Sequence, residues 1–195
     1  MNRKETTKRL SEILEQDKFS GASKYWAKEV TFDYGKEEMV NDTIEAKVRR
    51  IDYLQFVPEA QVSISGLEKG IFICYEIKSC KEDFLSGYGQ NFVGEKNYLV
   101  MSVKTYKDLK EASLLDKLPY HIGILVAIPK SKKYKDNRIE SETNAPTELD
   151  ATPAKEWYLE TVKPAKKKHR QRSMTELLFC MVRSSSRMLS NFKGE

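Results

Sequence analysis

A chain of 195 residues with 39% hydrophobic and 32% charged residues is long enough for one globular domain with its own core. Its 34 lysines and arginines against 29 aspartates and glutamates give a net charge of +5, which permits a polyanionic partner without identifying one. The three cysteines form no CxxC pair and there are two histidines, which argues against a zinc site or a disulfide framework and favours a reducing cytoplasmic compartment. No apolar run reaches membrane-spanning length, which argues against a membrane partner.

The chain is predicted to begin with a helix over residues 3–17. Its apolar side chains recur with the i, i+3, i+4 spacing of a single helical stripe: Leu10, Ile13 and Leu14. Three acids of the same helix fall well away from this stripe: Glu5, Glu12 and Glu15. We therefore expect the helix to pack through its apolar stripe and to leave these acids solvated.

Three strands are predicted next, at residues 26–34, 46–56 and 71–78, with a polar connection at 35–42. Alternation along the third strand places Glu76 and Lys78 on one face, opposite a face that is apolar throughout. Isolated charges are seldom buried, so these two side chains need partners or a bound ion. Asp52, in the second strand, is the nearest upstream acid that also lies in a predicted strand.

The second half of the chain is predicted to complete an α/β domain with a mixed sheet. A strand at 97–103 and a helix at 106–115 precede an apolar run at 122–128, which is typical of a strand buried on both faces. We assign residues 1–130 to the core, 131–172 to a basic, partly flexible extension of which Trp157 and Tyr158 indicate a docked piece, and 173–195 to an amphipathic helix. That helix packs on the core or on a partner, so a monomer and a homodimer both remain open.

The acids and the lysine suit metal-assisted hydrolysis. Carboxylates of Asp52 and Glu76 on adjacent strands can bind Mg²⁺ or Mn²⁺, with the backbone carbonyl of Ile77 as a third oxygen ligand. Such an ion polarises a phosphodiester and lowers the pKa of a bound water, which Lys78 is placed to orient. No serine or cysteine stands beside a plausible base, and no glycine pattern is typical of a nucleotide-binding loop.

The same residues carry a resemblance to a known family. Ile51-Asp52, then Tyr75-Glu76-Ile77-Lys78-Ser79 and Asp83-Phe84, resemble the PD-(D/E)xK nuclease superfamily, and specifically its MmcB-like DNA-repair and phage-encoded relatives. The resemblance implies a restriction-endonuclease-like fold, an α/β domain whose mixed central sheet is flanked by helices. It also implies metal ligands at Asp52 and Glu76, a catalytic Lys78, a supporting role for Asp83, and DNA hydrolysis in repair, recombination or phage biology. The first helix offers no clear match to the superfamily's accessory glutamate.

Nucleic-acid contacts are predicted at two polar residues near the glycines after the site and at five in a basic run: Gln90, Lys96, Lys166, Lys167, Lys168, Arg170 and Arg172. The alternative for each is a solvated surface position. DNA is the expected substrate, and an RNA-processing nuclease would share the same metal site. The competing class is a catalytically inactive protein of this fold that binds nucleic acid or a partner protein. The sequence leaves open whether cleavage is internal or from an end.

Overall fold

The computed structural model describes residues 1–33, 37–40, 43–46, 49–61, 63–87, 90–130 and 149–192, with side chains described outside 37–46 and 187–192. The strands are β1 (Tyr25–Phe32), β2 (Glu37–Val40), β3 (Thr43–Ala46), β4 (Arg49–Val57), β5 (Ile71–Lys78), β6 (Lys96–Ser102), β7 (Ile122–Pro129) and β8 (Trp157–Lys163). The helices are α1 (Arg3–Leu14), α2 (Ile64–Glu68), α3 (Lys81–Leu85), α4 (Val103–Glu111) and α5 (Met174–Phe192). No helix in these ranges is both long enough and apolar enough to cross a membrane.

A six-stranded sheet in the order β1-β4-β5-β6-β7-β8 forms the centre of the structure. Strands β5, β6 and β7 run parallel to one another, whereas β1, β4 and β8 are antiparallel to their neighbours. Among the described residues, β2 and β3 pair with each other and with no strand of the large sheet. The predicted α/β class, a mixed central sheet flanked by helices, is thus confirmed.

Each face of the sheet buries the apolar side of at least one helix. The predicted stripe of α1, at Leu10, Ile13 and Leu14, is fully buried and packs with β5 and β8 residues on one face. On the other face α5 packs over β1, β4 and β5, and α4 packs over β6 and β7. Strand β5 packs under α5 through Phe72 and Cys74, and its Glu76 and Lys78 lie beside Leu99 and Met101 of β6 in the register.

Strand β8 corrects the predicted division of the chain. Residues 157–163 fall within the stretch assigned to a basic extension, yet they form an edge strand antiparallel to β7. Trp157 and Leu159 are 2% and 3% exposed and join the α1 cluster, because alternate residues of a strand point to the same face. The docked piece that the aromatic residues indicated is thus part of the central sheet, while residues 131–148 of the extension lie outside the described residues.

Two local predictions were also wrong. The stretch 35–42 was expected to be a polar connection, but it contributes β2 to the small antiparallel ribbon. Glu15 was expected to be solvated, but its carboxylate accepts a hydrogen bond from the Tyr53 hydroxyl and lies 3.1 Å from the Lys28 ammonium. The partners of Glu15 come from β1 and β4, and a helical wheel, which describes one helix alone, cannot include them. Past α1 the chain continues as a π-helical turn at Glu15–Phe19.

Candidate metal centre

Asp52 and Glu76 face each other where β4 and β5 separate. The antiparallel ladder between these strands runs from Val57–Ile71 to Tyr53–Tyr75, and one further step of the same register sets Asp52 opposite Glu76. At this step the Ile77 N–H donates to Oδ2 of Asp52 at 2.8 Å. A side-chain carboxylate thus replaces the backbone carbonyl that would continue the ladder, and both carboxyl groups lie at the opening.

The backbone of Ile77 faces the same opening. In an antiparallel pair the N–H and C=O of a hydrogen-bonded residue point toward the same neighbouring strand. Because the Ile77 N–H points to Asp52, its carbonyl oxygen is also directed toward the β4 side. This direction fits the predicted use of that oxygen as a third ligand.

The Glu76 carboxyl group is the most distinctive chemical feature of the site. Its side chain is 1% exposed, and its Oε1 atom accepts no hydrogen bond from the described residues. Burial raises the pKa of Glu76 well above its usual value, and the neighbouring Asp52 charge raises it further. Burial also raises the pKa of Asp52, against the opposing effects of the Ile77 hydrogen bond and the Lys78 charge. An acid pair with raised pKa values and an unbonded oxygen fits a divalent cation, which stabilises both ionised forms.

Lys78 lies within this group of acids. Its side chain is 2% exposed, and its positive charge lowers the pKa of Asp52, Glu76 and Asp83. The structure thus brings Asp52, Glu76, Ile77 and Lys78 together, as the sequence predicted.

Asp83 links the site to the first helix. Its Oδ2 accepts hydrogen bonds from the Ser79 N–H at 3.0 Å and the Ser79 hydroxyl at 2.9 Å, and its Oδ1 lies 2.6 Å from the Arg3 guanidinium. Burial opposes the ionisation of Asp83, but the Ser79 hydrogen bonds and the charges of Lys78 and Arg3 hold its pKa below the usual value. Asp83 therefore stays ionised and fixes Arg3 beside the acids.

A cleft of about 460 Å³ exposes the site to solvent. Five of its lining residues were predicted from the sequence: Asp52, Glu76, Ile77, Lys78 and Asp83. The other lining residues were not predicted: Arg3, Thr7, Arg49, Arg50, Gly87 and Asn91. Arg3 and Thr7 are the α1 residues that line this cleft, and neither is an acid. No cluster of three or more acids, histidines or cysteines able to hold a metal occurs in the described ranges. Two carboxylates and one carbonyl are thus the available protein ligands.

Of the seven predicted nucleic-acid contacts, two lie next to this cleft. Gln90 and Lys168 line a neighbouring depression of about 430 Å³. Lys96 begins β6 opposite Ile73, which is three residues or about 10 Å before Glu76 along the sheet. Alternation places the Lys96 side chain on the α1 face with Tyr98, so it lies away from the cleft.

The basic run itself crosses one end of the sheet. The Lys166 and Lys168 N–H groups donate to the carbonyls of His121 and Glu95, at 3.1 and 2.9 Å. The Lys166 ammonium lies 5.4 Å from the centre of the Tyr120 ring, and Lys167 is exposed.

Two arginines of the run have intramolecular partners. Arg170 lies 3.3 Å from Glu95, and Arg172 lies 2.5 Å from Asp33 and 2.7 Å from Glu176. Buried carboxylates such as Asp33 and Glu95 require such partners. The structure therefore favours a structural role for Arg170 and Arg172 over the predicted contact with nucleic acid.

Comparison with known proteins adds no assignment. No protein-family model and no curated protein matches the chain. Among solved structures, the chain is similar to the SPO1766 protein of unknown function from Silicibacter pomeroyi, at 11% identity and a TM-score of 0.48, over 96% of this chain and 89% of that one.

Proposed function

We propose that the protein is a Mg²⁺- or Mn²⁺-dependent DNA nuclease. The observation that carries the proposal is the buried Glu76 carboxylate, which has an oxygen without a hydrogen-bond donor among the described residues and lies opposite Asp52 where two strands separate. A group this buried is normally satisfied within the protein or by a bound species. A hard divalent cation suits an oxygen-only ligand set of this kind.

Each residue at the site has a defined task in this proposal. Asp52, Glu76 and the Ile77 carbonyl hold the ion, which when bound polarises the phosphodiester and acidifies a water molecule. Lys78 orients the attacking water and offsets negative charge that develops on the phosphate. Arg3, held by Asp83, contacts the phosphate from the α1 side of the cleft.

The proposed substrate is DNA. The resemblance to PD-(D/E)xK nucleases supports DNA over RNA, and it supports a role in repair, recombination or phage biology. Three arginines on the cleft, Arg3, Arg49 and Arg50, supply the positive charge that a polynucleotide backbone requires. Action in the cytoplasm, as a monomer or a homodimer, belongs to the same proposal.

A second candidate is a nuclease-fold protein that binds nucleic acid or a partner protein without cutting. It is favoured by the position of Lys78, whose charge stabilises Asp52, Glu76 and Asp83 together. An ammonium among three acids offsets their charge without a metal. Such a protein would bind its partner with an affinity that does not depend on Mg²⁺ or Mn²⁺.

Cleavage assays separate the two candidates. The purified protein is incubated with supercoiled, linear and branched DNA in the presence of Mn²⁺, alongside Lys78→Ala, Asp52→Asn and an exposed-lysine control, Lys117→Ala. We expect cleavage by the wild type and the control, and a loss of about 100-fold or more in the two site variants. Cleavage that survives in Lys78→Ala at the wild-type rate would contradict the proposal. Metal-independent binding with no cleavage would support the second candidate.

A further inference from the structure

The cleft at the metal centre continues into a further depression on each side. Arg3, Thr7, Asp52 and Ile77 line both the cleft and a depression of about 490 Å³ beside α1. Arg49 and Asn91 line both the cleft and the depression of about 430 Å³ that contains Lys168. The three depressions are therefore neighbours, and the one that holds both Asp52 and Glu76 shares lining residues with each of the other two.

The first side, which we call the α1 flank, is lined by Lys4, Lys8 and Lys28 and by one acid, Glu29; of the three lysines, Lys28 is paired with Glu15. Lys4 and Lys8 are exposed and lie one helical turn apart, so both ammonium groups follow the same side of α1. From Arg3 to Ser11 this side extends eight residues, or about 12 Å. At about 3.4 Å of axis per nucleotide this length matches three to four nucleotides.

The second side, which we call the loop flank, is lined by Arg49, Lys168 and the polar side chains of Gln90, His121 and Gln171. Backbone hydrogen bonds anchor the chain at Lys168 and at Arg50, the residue after Arg49. The Lys168 N–H donates to the Glu95 carbonyl at 2.9 Å, and the Asn91 amide donates to the Arg50 carbonyl at 2.9 Å. This flank thus presents positive charge from a fixed backbone, which reduces the entropy lost on binding a phosphate.

From this arrangement we infer that a DNA strand crosses the metal centre with its phosphates bound on both flanks, so that cleavage is internal and requires no free end. The inference rests on the proposed nuclease function. An enzyme that cuts from an end needs binding groups on only one side of the reacting phosphate. Here cationic side chains lie on both sides, with the acids between them.

Two kinds of substrate test the direction of cleavage. Circular single-stranded DNA and supercoiled duplex DNA have no ends, whereas linear strands of the same sequence have two. With Mn²⁺ we expect circles and linear strands to be cut at rates within about threefold of each other, with linear products of varied length from the first turnover. Circles that stay intact while linear strands are shortened stepwise from an end would overturn the inference and leave the nuclease function standing. If no form of DNA is cut, the proposed function fails, and the inference fails with it.

Binding by paired variants tests the two flanks separately. Lys4→Gln with Lys8→Gln removes the two exposed lysines of the α1 flank, and Arg49→Gln with Lys168→Gln removes the lysine and the arginine of the loop flank. Lys24→Gln with Lys69→Gln removes the same charge at the opposite end of β1 and β5. Fluorescence anisotropy with a labelled 20-nucleotide strand is measured in EDTA as a function of salt, after thermal denaturation has shown that each variant is folded.

We expect each flank pair to weaken binding about tenfold, and to reduce the magnitude of the slope of log K against log salt by about 1.4, as for two lost single-strand phosphate contacts. The control pair should change affinity less than twofold. An effect confined to one flank, or an equal effect from the control pair, would overturn the two-sided path.

Discussion

The change Glu76→Gln tests two properties of this acid separately: its role in metal binding and the loss of folding stability that its burial causes. The pKa of Glu76 is raised in the folded state, so the stability that the group contributes is present at low pH and is lost as the pH rises through the raised value. At neutral pH and without a cation, burial of the Glu76 carboxyl group therefore destabilises the fold relative to a carboxyl group with an unshifted pKa. Glutamine has the same shape and no charge, and its amide can donate to the nearby Asp52 carboxylate.

The expected sizes follow from burial and mass action. Replacement of a carboxyl group whose ionisation is opposed by burial, at 1% exposure, is expected to raise the cation-free stability by about 1 kcal/mol, or roughly 2–4 °C in Tm for a domain of this size. A Mn²⁺ concentration 100 times the Kd stabilises the folded wild type by about 2.7 kcal/mol, which corresponds to roughly 5–10 °C. Glu76→Gln should lose most of that second increment, because it removes one of two carboxylate ligands.

Thermal denaturation with and without Mn²⁺, at several pH values, measures both effects. The matched control is Glu68→Gln, the same substitution at an exposed position of α2, which should behave as the wild type. The cation-induced rise of the wild-type Tm should grow with pH, because the ion competes with protons for Asp52 and Glu76. A Glu76→Gln variant that is less stable than the wild type at neutral pH, or that keeps the full Mn²⁺ increment, would refute the reasoning.

Three further predictions concern the surroundings of the site. Asp83→Asn weakens the hold on Arg3 and should slow single-turnover DNA cleavage about tenfold, while the Mn²⁺-induced rise in Tm stays within 2 °C of the wild-type value. Arg172→Gln removes the guanidinium that pairs with the buried Asp33 and should lower the urea-unfolding free energy by about 3 kcal/mol, whereas Lys166→Gln should change it by less than about 0.5 kcal/mol. Trp157→Ala empties a 2%-exposed position of β8 and should cost about 4 kcal/mol in the same assay; a cost under about 1 kcal/mol would show that β8 contributes little to the core.

The parts of the site that the sequence predicted depend on short-range periodicity. Glu76 and Lys78 are two residues apart on one strand, and the alternation of a strand is enough to put them on one face. Asp52 belongs to the next strand of an antiparallel pair, so hydrophobic patterning in both strands limits the register. The α1 stripe and the apolar run of β7 were predictable for the same reason.

The missed parts depend on contacts between distant positions in the chain. Arg3 meets Asp83 across 80 residues, and Arg172 meets Asp33 across 139 residues. Neither pairing has a periodic signature, and a single arginine in the first turn of a helix is not distinctive. Strand β8 was assigned to the extension because its apolar side chains alternate over only a few residues, between prolines and lysines. Its place in the sheet depends on pairing with the edge of β7, a contact that the local sequence does not show.

Among the described residues, the partners of the four most buried acids indicate which of these acids has a role beyond the stability of the fold. Asp33 is paired with Arg172, Glu95 accepts from the Phe72 N–H and lies beside Arg170, and Asp83 accepts two hydrogen bonds from Ser79. Among these acids only Glu76 keeps a buried oxygen that accepts no hydrogen bond from the described residues. Since the same fold satisfies three buried carboxylates, the cost at Glu76 is not a general consequence of its architecture. An unsatisfied carboxylate oxygen beside the cleft, in a fold that pairs its other buried carboxylates, indicates a binding function at that position.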